Sequence, residues 1–261
     1  VNPLVDGCLF FWVDRVLIAI FSTMPLSRPE PDPRALKLWV FDLDGTLIDS
    51  RYDLVTAVNA TLAWRGLKAL PEETIVSYIG DGADDLIRRS LESAEMPGPM
   101  IREDFAGTMR WFLDYYGEHC LDRTIPYPGA RALLDALAAR GIPMAVLTNK
   151  PEKPALGILR HLGWFDHFTH VIPGDGPLGK KPDPRGLDSI LSGLKIAPHD
   201  AVLVGDSLQD LRTARAAGTA FVLFKGGLGD VPAIMAEGPD IAVDTLPELQ
   251  TLIGEALETI P

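Results

Sequence analysis

Leu38-Trp39-Val40-Phe41-Asp42-Leu43-Asp44-Gly45-Thr46 is the stretch whose reading decides the fold. Four apolar, strand-forming residues run into two carboxylates, a glycine and a threonine. Buried parallel strands read as continuous apolar runs, and ligands of open α/β sheets bind just beyond the strands' carboxyl ends. Asp42 and Asp44 therefore stand where such a fold does its chemistry. Residues i and i+2 of a strand point to the same side, although Gly45 indicates a chain already turning. Two carboxylates this close repel each other unless a proton or a cation intervenes. A hard divalent cation such as Mg²⁺ takes oxygen ligands and keeps sites for waters and a phosphate oxygen. Read alone, the same letters also spell a strand end followed by an Asp-Gly turn. The rest of the chain decides between the two.

The construction recurs. Ile142-Pro143-Met144-Ala145-Val146-Leu147 is a second apolar strand, and it ends in Thr148-Asn149-Lys150, whose hydroxyl and amides can hold a phosphoryl oxygen. Ala201-Val202-Leu203-Val204-Gly205-Asp206-Ser207-Leu208-Gln209-Asp210 sets two carboxylates across a strand-to-helix turn. Asp206 is placed to complete a metal site with Asp42, and Asp210 to orient ligands or a lysine from behind. Between the second and third strands, the loop from Gly174 to Pro184 carries Lys180 and Lys181. Pro182 and Pro184 stiffen the chain after Lys181 and fix where its ammonium points. Beside paired carboxylates it would neutralise their charge and that of a bound phosphate; Lys180 is expected to face solvent.

Further strands are predicted at Phe168–Ile172, Thr219–Phe224 and Ile241–Val243. Helices are predicted from Pro128-Gly129 to Arg140, from Pro151 to Leu162, up to Ala217, and from Leu246 to Leu257. This alternation is that of an α/β protein, a Rossmann-like parallel sheet with helices on both faces. Residues 51–125 read differently. Asp49-Ser50 offers a cap to a helix with Leu54, Val55, Val58 and Leu62 on one face. Pro71-Glu72-Glu73 opens another helix, and Leu86, Ile87 and Leu91 mark a third. The stretch 101–119 is helical again, and no strand pattern falls between about 50 and 125. The domains are therefore a core of 36–50 with 126–261 and an inserted all-helical cap of 51–125, suited to act as a lid. Within it, Ile79-Gly80-Asp81-Gly82-Ala83 can bring backbone amides over the site, which makes Gly80 and Gly82 candidate substrate contacts. Arg88, Arg89 and Arg102 read as surface arginines.

Hydrophobic residues make up 47% of the 261 residues and charged residues 23%, ordinary for a globular protein. A formal charge of −12 argues against nucleic acid as a partner, though a metal can reverse the field inside one cleft. Cys8 and Cys120 form neither a metal motif nor a disulfide framework, which fits a cytoplasmic protein. Residues 7–21 are strongly apolar but interrupted by Asp14 and Arg15, a poor membrane span, and no basic residue precedes them as in a signal peptide. Residues 1–35 are thus an N-terminal extension. The native protein is expected to start at Met24, with intact mass from the native start as the check.

Taken together, Asp42-Leu43-Asp44-Gly45-Thr46, Thr148-Asn149, Lys181-Pro182 and Gly205-Asp206-Ser207 with Asp210 resemble, in order, the four motifs of the haloacid dehalogenase superfamily. Asp49-Ser50, Asp53-Leu54, Ala57-Val58-Asn59, Gly80-Asp81-Gly82-Ala83, Tyr127-Pro128-Gly129 and Thr148-Asn149-Lys150-Pro151 bring the resemblance closest to its phosphoglycolate phosphatase-like enzymes. The likeness spans roughly 36–258. It implies a Mg²⁺-dependent hydrolase of a small phosphorylated metabolite, with 2-phosphoglycolate as the expected substrate. Asp42 would be the nucleophile, Asp44 the acid and base, and Lys181 the neutralising cation. Thr148 and Asn149 would hold phosphoryl oxygens, and Asp42, Asp44 (through its main-chain oxygen), Asp206 and Asp210 would make the metal set. A dehalogenase would not need Asp44, and a phosphonate hydrolase would need a cap lysine where only Lys68 is present. A phosphomutase, a pyrophosphatase or sugar phosphatase, and a non-catalytic binding protein are the rivals. Oligomeric state is left open.

Overall fold

A computed structural model describes residues 12–13, 16–17, 31–33 and 35–254. Strands β1 (Trp12–Val13) and β2 (Val16–Leu17) pair antiparallel in a unit of their own, Val1–Glu30. The expected start at Met24 and the proline-rich approach before residue 31 lie outside the described residues.

In the second unit, Pro31–Pro261, the sheet is built on β3 (Leu38–Phe41), whose four side chains are all fully buried. Its continuous apolar sequence still obeys the strand period. Trp39 and Phe41 join one core cluster while Leu38 and Val40 join another on the opposite face. The other short strands are β4 (Ile48–Asp49), β5 (Ile125–Pro126), β6 (Met144–Leu147), β7 (Phe168–Ile172), β8 (Ala201–Gly205), β9 (Ala220–Phe224) and β10 (Ile241–Val243). Five of them join β3 in a six-stranded parallel sheet in the order β10-β9-β8-β3-β6-β7. The chain thus builds outward from β3 to one side through β6 and β7, then crosses to the other through β8. This makes the carboxyl end of β3 the switch point at which such sheets bind ligands.

Four helices follow β4: α1 (Arg51–Trp64), α2 (Glu72–Val76), α3 (Ala83–Ser93) and α4 (Gly98–His119). The others are α5 (Ala130–Ala139), α6 (Glu152–His161), α7 (Arg185–Leu194), α8 (Leu208–Ala217), α9 (Val231–Ala236) and α10 (Leu246–Gly254). Leu133 and Leu137 of α5, Ile158 of α6 and Leu249 of α10 cover the Trp39–Phe41 face. Leu187 and Ile190 of α7, Leu211 of α8 and Ile234 of α9 cover the other. The α/β architecture with helices on both faces is that read from the sequence. The predicted end of the last helix at Leu257 lies outside the described residues.

Three features depart from the sequence reading. Helices α7 and α9 have no counterpart among the helices expected from sequence, although Leu187, Ile190, Leu191 and Leu194 have helical spacing. β4 and β5 pair antiparallel where the helical insertion leaves and rejoins the sheet. Asp53 clamps that crossing, its Oδ2 accepting from Arg123 N at 3.1 Å and from Thr124 N and Oγ1 at 2.8 Å each. Finally, Ser50 precedes α1 without capping it. Its hydroxyl is spent on Asp44 instead. Among the described residues no helix is long and apolar enough to cross a membrane.

Candidate active site

Three strand ends and one loop converge on Asp42. The carboxylate leaves β3 only 5% exposed, and its amide is tied to Val204 O of β8 at 2.9 Å. Its Oδ1 lies 2.7 Å from Lys181 Nζ, an ion pair without hydrogen-bond geometry, so this buried oxygen has no hydrogen-bond partner. Lys181 is 2% exposed and is held from the far side by Asp210, whose Oδ1 accepts from Nζ at 2.6 Å. The other oxygen of Asp210 accepts from Ser207 N at 3.0 Å, closing a capping box at the start of α8. The pair of carboxylates pushes the Lys181 pKa up to about 12 against its burial. Asp210 thus both caps a helix and holds the lysine.

Asp206 directly follows β8 and lies beside Asp42. Thr46 Oγ1 donates to its Oδ1 at 2.9 Å and Leu228 N to its Oδ2 at 2.8 Å. Two glycines press against this carboxylate. A Cβ on Gly45, which has φ +84°, would stand 2.2 Å from Asp206 Oδ2, and one on Gly227 would stand 2.4 Å from Asp206 Cβ. Oxygens of Asp42, Asp206 and Asp210 lie within 4.8 Å of one another, all buried. Three clustered carboxylates, one oxygen among them lacking any hydrogen bond, fit a small hard cation that takes oxygen ligands. Asp44, also named in the expected metal set, turns its side chain elsewhere, so only its main-chain oxygen remains as a ligand.

Burial, then the neighbouring carboxylates, raise Asp206 to about 8. Burial likewise raises Asp42 to about 7, with Lys181 opposing it and the charge of Asp210 adding to it. Between the ordinary carboxylate range and these values, the folded protein holds more protons than the unfolded chain, so it loses stability as pH rises. A cation needs both groups deprotonated and reverses this penalty. In chelator, the melting temperature should therefore fall from about pH 5 to about pH 8, and added Mg²⁺ should raise it more at the upper end. Scanning calorimetry checks this; a Mg²⁺ effect independent of pH would count against the carboxylate site.

The side chain of Asp44 instead accepts from Ser50 Oγ at 2.5 Å and is ion-paired to Lys150, with Nζ at 2.8 Å from Oδ1 and 3.1 Å from Oδ2. Lys150 also reaches the hydroxyl of Tyr116, in α4, at 2.5 Å. The sequence reading passed over this pairing. Asp44 and Lys150 are far apart in the chain, and the only local cue was the Thr-Asn-Lys-Pro run after β6.

Thr148 is buried, with its amide on Ile172 O at 3.0 Å and its Oγ1 accepting from Lys150 N at 3.2 Å. Asn149 spends its side chain on architecture. Its Oδ1 accepts from Lys181 N at 2.7 Å, and its Nδ2 donates to Lys181 O at 3.1 Å and Gly80 O at 2.9 Å. One amide thereby joins the lysine loop, the end of β6 and the glycine loop of the helical insertion. Gly80 and Gly82, with φ +118° and +94°, line a cleft together with Asp42, Asp44, Thr148, Asn149 and Lys150. Leu54, Ile79, Leu86 and Phe112 make its apolar wall. Asp81, between the glycines, is gripped by Gln209 Nε2 at 2.6 Å and, through its main-chain oxygen, by Lys180 Nζ at 2.7 Å. Lys180 also pairs with Asp85 while its side chain stays 40% exposed, so the lysine faces solvent as expected and also ties the insertion to the loop after β7. Arg88 and Arg89 lie over the rings of Phe105 and Tyr78.

A family model described as haloacid dehalogenase-like hydrolase matches residues 39–224, from β3 to the end of β9, and takes in Asp42, Asp44, Thr148, Lys181, Asp206 and Asp210. The chain belongs to this hydrolase family. The hydrolase is 38% identical to a phosphoglycolate phosphatase of Chromobacterium violaceum, over 84% of this chain and 96% of the relative. Among solved structures, a predicted phosphoglycolate phosphatase from Haemophilus somnus 129PT superposes with a TM-score of 0.77 at 31% identity, covering 84% of the hydrolase and 98% of that chain. CbbY from Rhodobacter sphaeroides, solved in complex with phosphate, superposes at 0.71 with 26% identity, covering 82% and 96%.

Proposed function

We propose that this hydrolase is a Mg²⁺-dependent phosphatase acting through an aspartyl phosphate on Asp42, with 2-phosphoglycolate as its substrate. The observation that carries the reading is the Asp42 carboxylate, which is buried at the foot of a cleft and has a lysine on one side and a second carboxylate on the other. The names of its relatives support the substrate.

In-line phosphoryl transfer needs a nucleophile, positive charge for the equatorial oxygens and a proton donor for the leaving oxygen. Asp42 attacks phosphorus and the ester bond to the leaving oxygen breaks. Lys181, aimed by Asp210, neutralises the transferring group, while the Thr148 hydroxyl and the Asn149 main-chain amide hold its oxygens. Asp44, lining the same cleft, gives a proton to the leaving oxygen and then takes one from the water that cleaves the aspartyl phosphate. Asp42, Asp206 and the main-chain oxygen of Asp44 would hold Mg²⁺, which when bound offsets the repulsion between carboxylate and phosphate dianion. Residues 36–50 and 126–261 serve as the catalytic core, and residues 51–125 as a cap whose Gly80 and Gly82 amides close over the substrate. A small phosphorylated metabolite in the cytoplasm, and no nucleic acid, suits the acidic chain and the buried free thiol of Cys120.

The test is phosphate release from 2-phosphoglycolate, pyrophosphate, hexose phosphates and nucleoside monophosphates, with Mg²⁺ and with chelator. Mg²⁺-dependent release dominated by 2-phosphoglycolate is expected. Folded, metal-loaded protein that releases phosphate from none of them would favour a phosphomutase or a non-catalytic role.

A further inference from the structure

We propose that Lys150 is the residue that recognises the carboxylate of the substrate, exchanging its contact with Asp44 for one with the leaving group. The inference rests on the phosphatase reading above and assigns the part of the site that reads the leaving group.

The side chain of Lys150 is 1% exposed, and an ammonium buried this far is tolerated only when paired. Its donors go to Asp44 and to the Tyr116 hydroxyl, and Nζ stands 4.7 Å from the centre of the Tyr116 ring. Lys181 is the other buried cation here, and it is committed to Asp42 and Asp210. Among the described residues Lys150 is the one cationic side chain lining the cleft, whose apolar lining is Leu54, Ile79, Leu86 and Phe112. A leaving group that carries an anion meets one ammonium there. A leaving group rich in hydroxyls would set them against apolar side chains without partners, a costly arrangement.

The position of the ammonium selects the kind of anion. Asp44 must address the bridging oxygen to protonate it, and Lys150 is already bound to Asp44. A carboxylate one methylene from the bridging oxygen falls beside Asp44, within reach of the same ammonium. Taking that ammonium, the substrate releases the Asp44 side chain toward the oxygen it serves. The cation is in place before binding, so little ordering is lost when the carboxylate arrives. Tyr116 comes from α4, so the helical insertion shares in the recognition.

The experiment compares kcat/KM for 2-phosphoglycolate with kcat/KM for its carboxyl methyl ester, which keeps the phosphate and the bridging oxygen but lacks the charge. Their ratio cancels any loss common to both substrates, including damage to Asp44. Wild type is expected to favour the acid by about 100-fold, as for a buried hydrogen bond to a charged group. K150M, which keeps the apolar stem, should bring the ratio near unity, and K150R should keep it within about 10-fold of wild type. A K150M ratio equal to that of wild type overturns the proposal, as does a wild-type enzyme that hydrolyses both compounds equally well. The wild-type comparison needs no variant and can overturn the proposal even if K150M does not fold. Wild type that hydrolyses neither compound would instead refute 2-phosphoglycolate as the substrate, the reading on which this proposal rests.

Discussion

Asp42→Asn is expected to lower kcat by at least ~10⁴-fold, because it removes the atom on which the intermediate forms and no neighbouring group can take its place. Lys181 and Asp210 point at each other, Asp206 is held by Thr46 and Leu228, and Asp44 is turned toward Lys150. The fold should survive. The carboxylate of Asp42 is destabilised by its own burial, with its pKa raised to about 7, and an amide of the same shape carries no charge to desolvate. Lys181 keeps Asp210 as a partner. The melting temperature in chelator should therefore stay within a few degrees of wild type. Phosphate release and calorimetry on the same preparation separate the effects; turnover within about tenfold of wild type would remove Asp42 from the role of nucleophile.

Lys181→Met should show the largest loss of stability. It takes away the ammonium that lies 2.7 Å from Asp42 and 2.6 Å from Asp210, leaving clustered buried carboxylates with no cation. Breaking a buried ion pair from one side costs ~3–5 kcal/mol. For a chain of this size that is a fall of roughly 6–20 °C in melting temperature. The deficit has a sign in pH. Asp42 is already raised to about 7 with the lysine present, and losing the lysine raises it further, so protons replace the missing cation as the medium is acidified. In chelator, the variant should lie closest to wild type near about pH 5 and furthest from it near about pH 8. kcat/KM should fall by about 10²- to 10³-fold, the usual cost of removing one group that stabilises transition-state charge. Equal deficits at both pH values would show that the carboxylates do not depend on this lysine.

The strands could be read because a buried parallel strand has little freedom in its composition. Leu38–Phe41, Met144–Leu147 and Ala201–Gly205 are buried throughout, and each is a bare apolar run that stops at a polar group. Asp42, Thr148 and Asp206 could be found for the same reason, since a strand end marks its own position in sequence. Contacts that cross the molecule left no such mark. Lys150 meets Asp44 from across the sheet, and its character shows only when β3 and β6 are laid side by side. Lys180 looked like surface decoration because its partners, Asp81 and Asp85, belong to the helical insertion. Ser50 illustrates the opposite error. Local chemistry made it a helix cap, but the hydroxyl serves Asp44, which a turn of the chain brings within reach. Gly227 and Leu228, which bracket Asp206, announced themselves only as a glycine-rich run after β9.

The central claim is that the phosphoryl group passes through Asp42. The most direct measurement is a rapid acid quench of Asp44→Asn reacted with para-nitrophenyl phosphate, followed by peptide mass mapping. This ester has a good leaving group and needs no protonation, so the missing carboxyl does not stop the first step, whereas the second step loses its base. The account predicts a burst of one nitrophenolate per active site and a phosphoryl group on the peptide carrying Asp42, neither of which appears when Asp42→Asn is added. Steady release of nitrophenolate without a burst and without phosphoryl on Asp42 would contradict it.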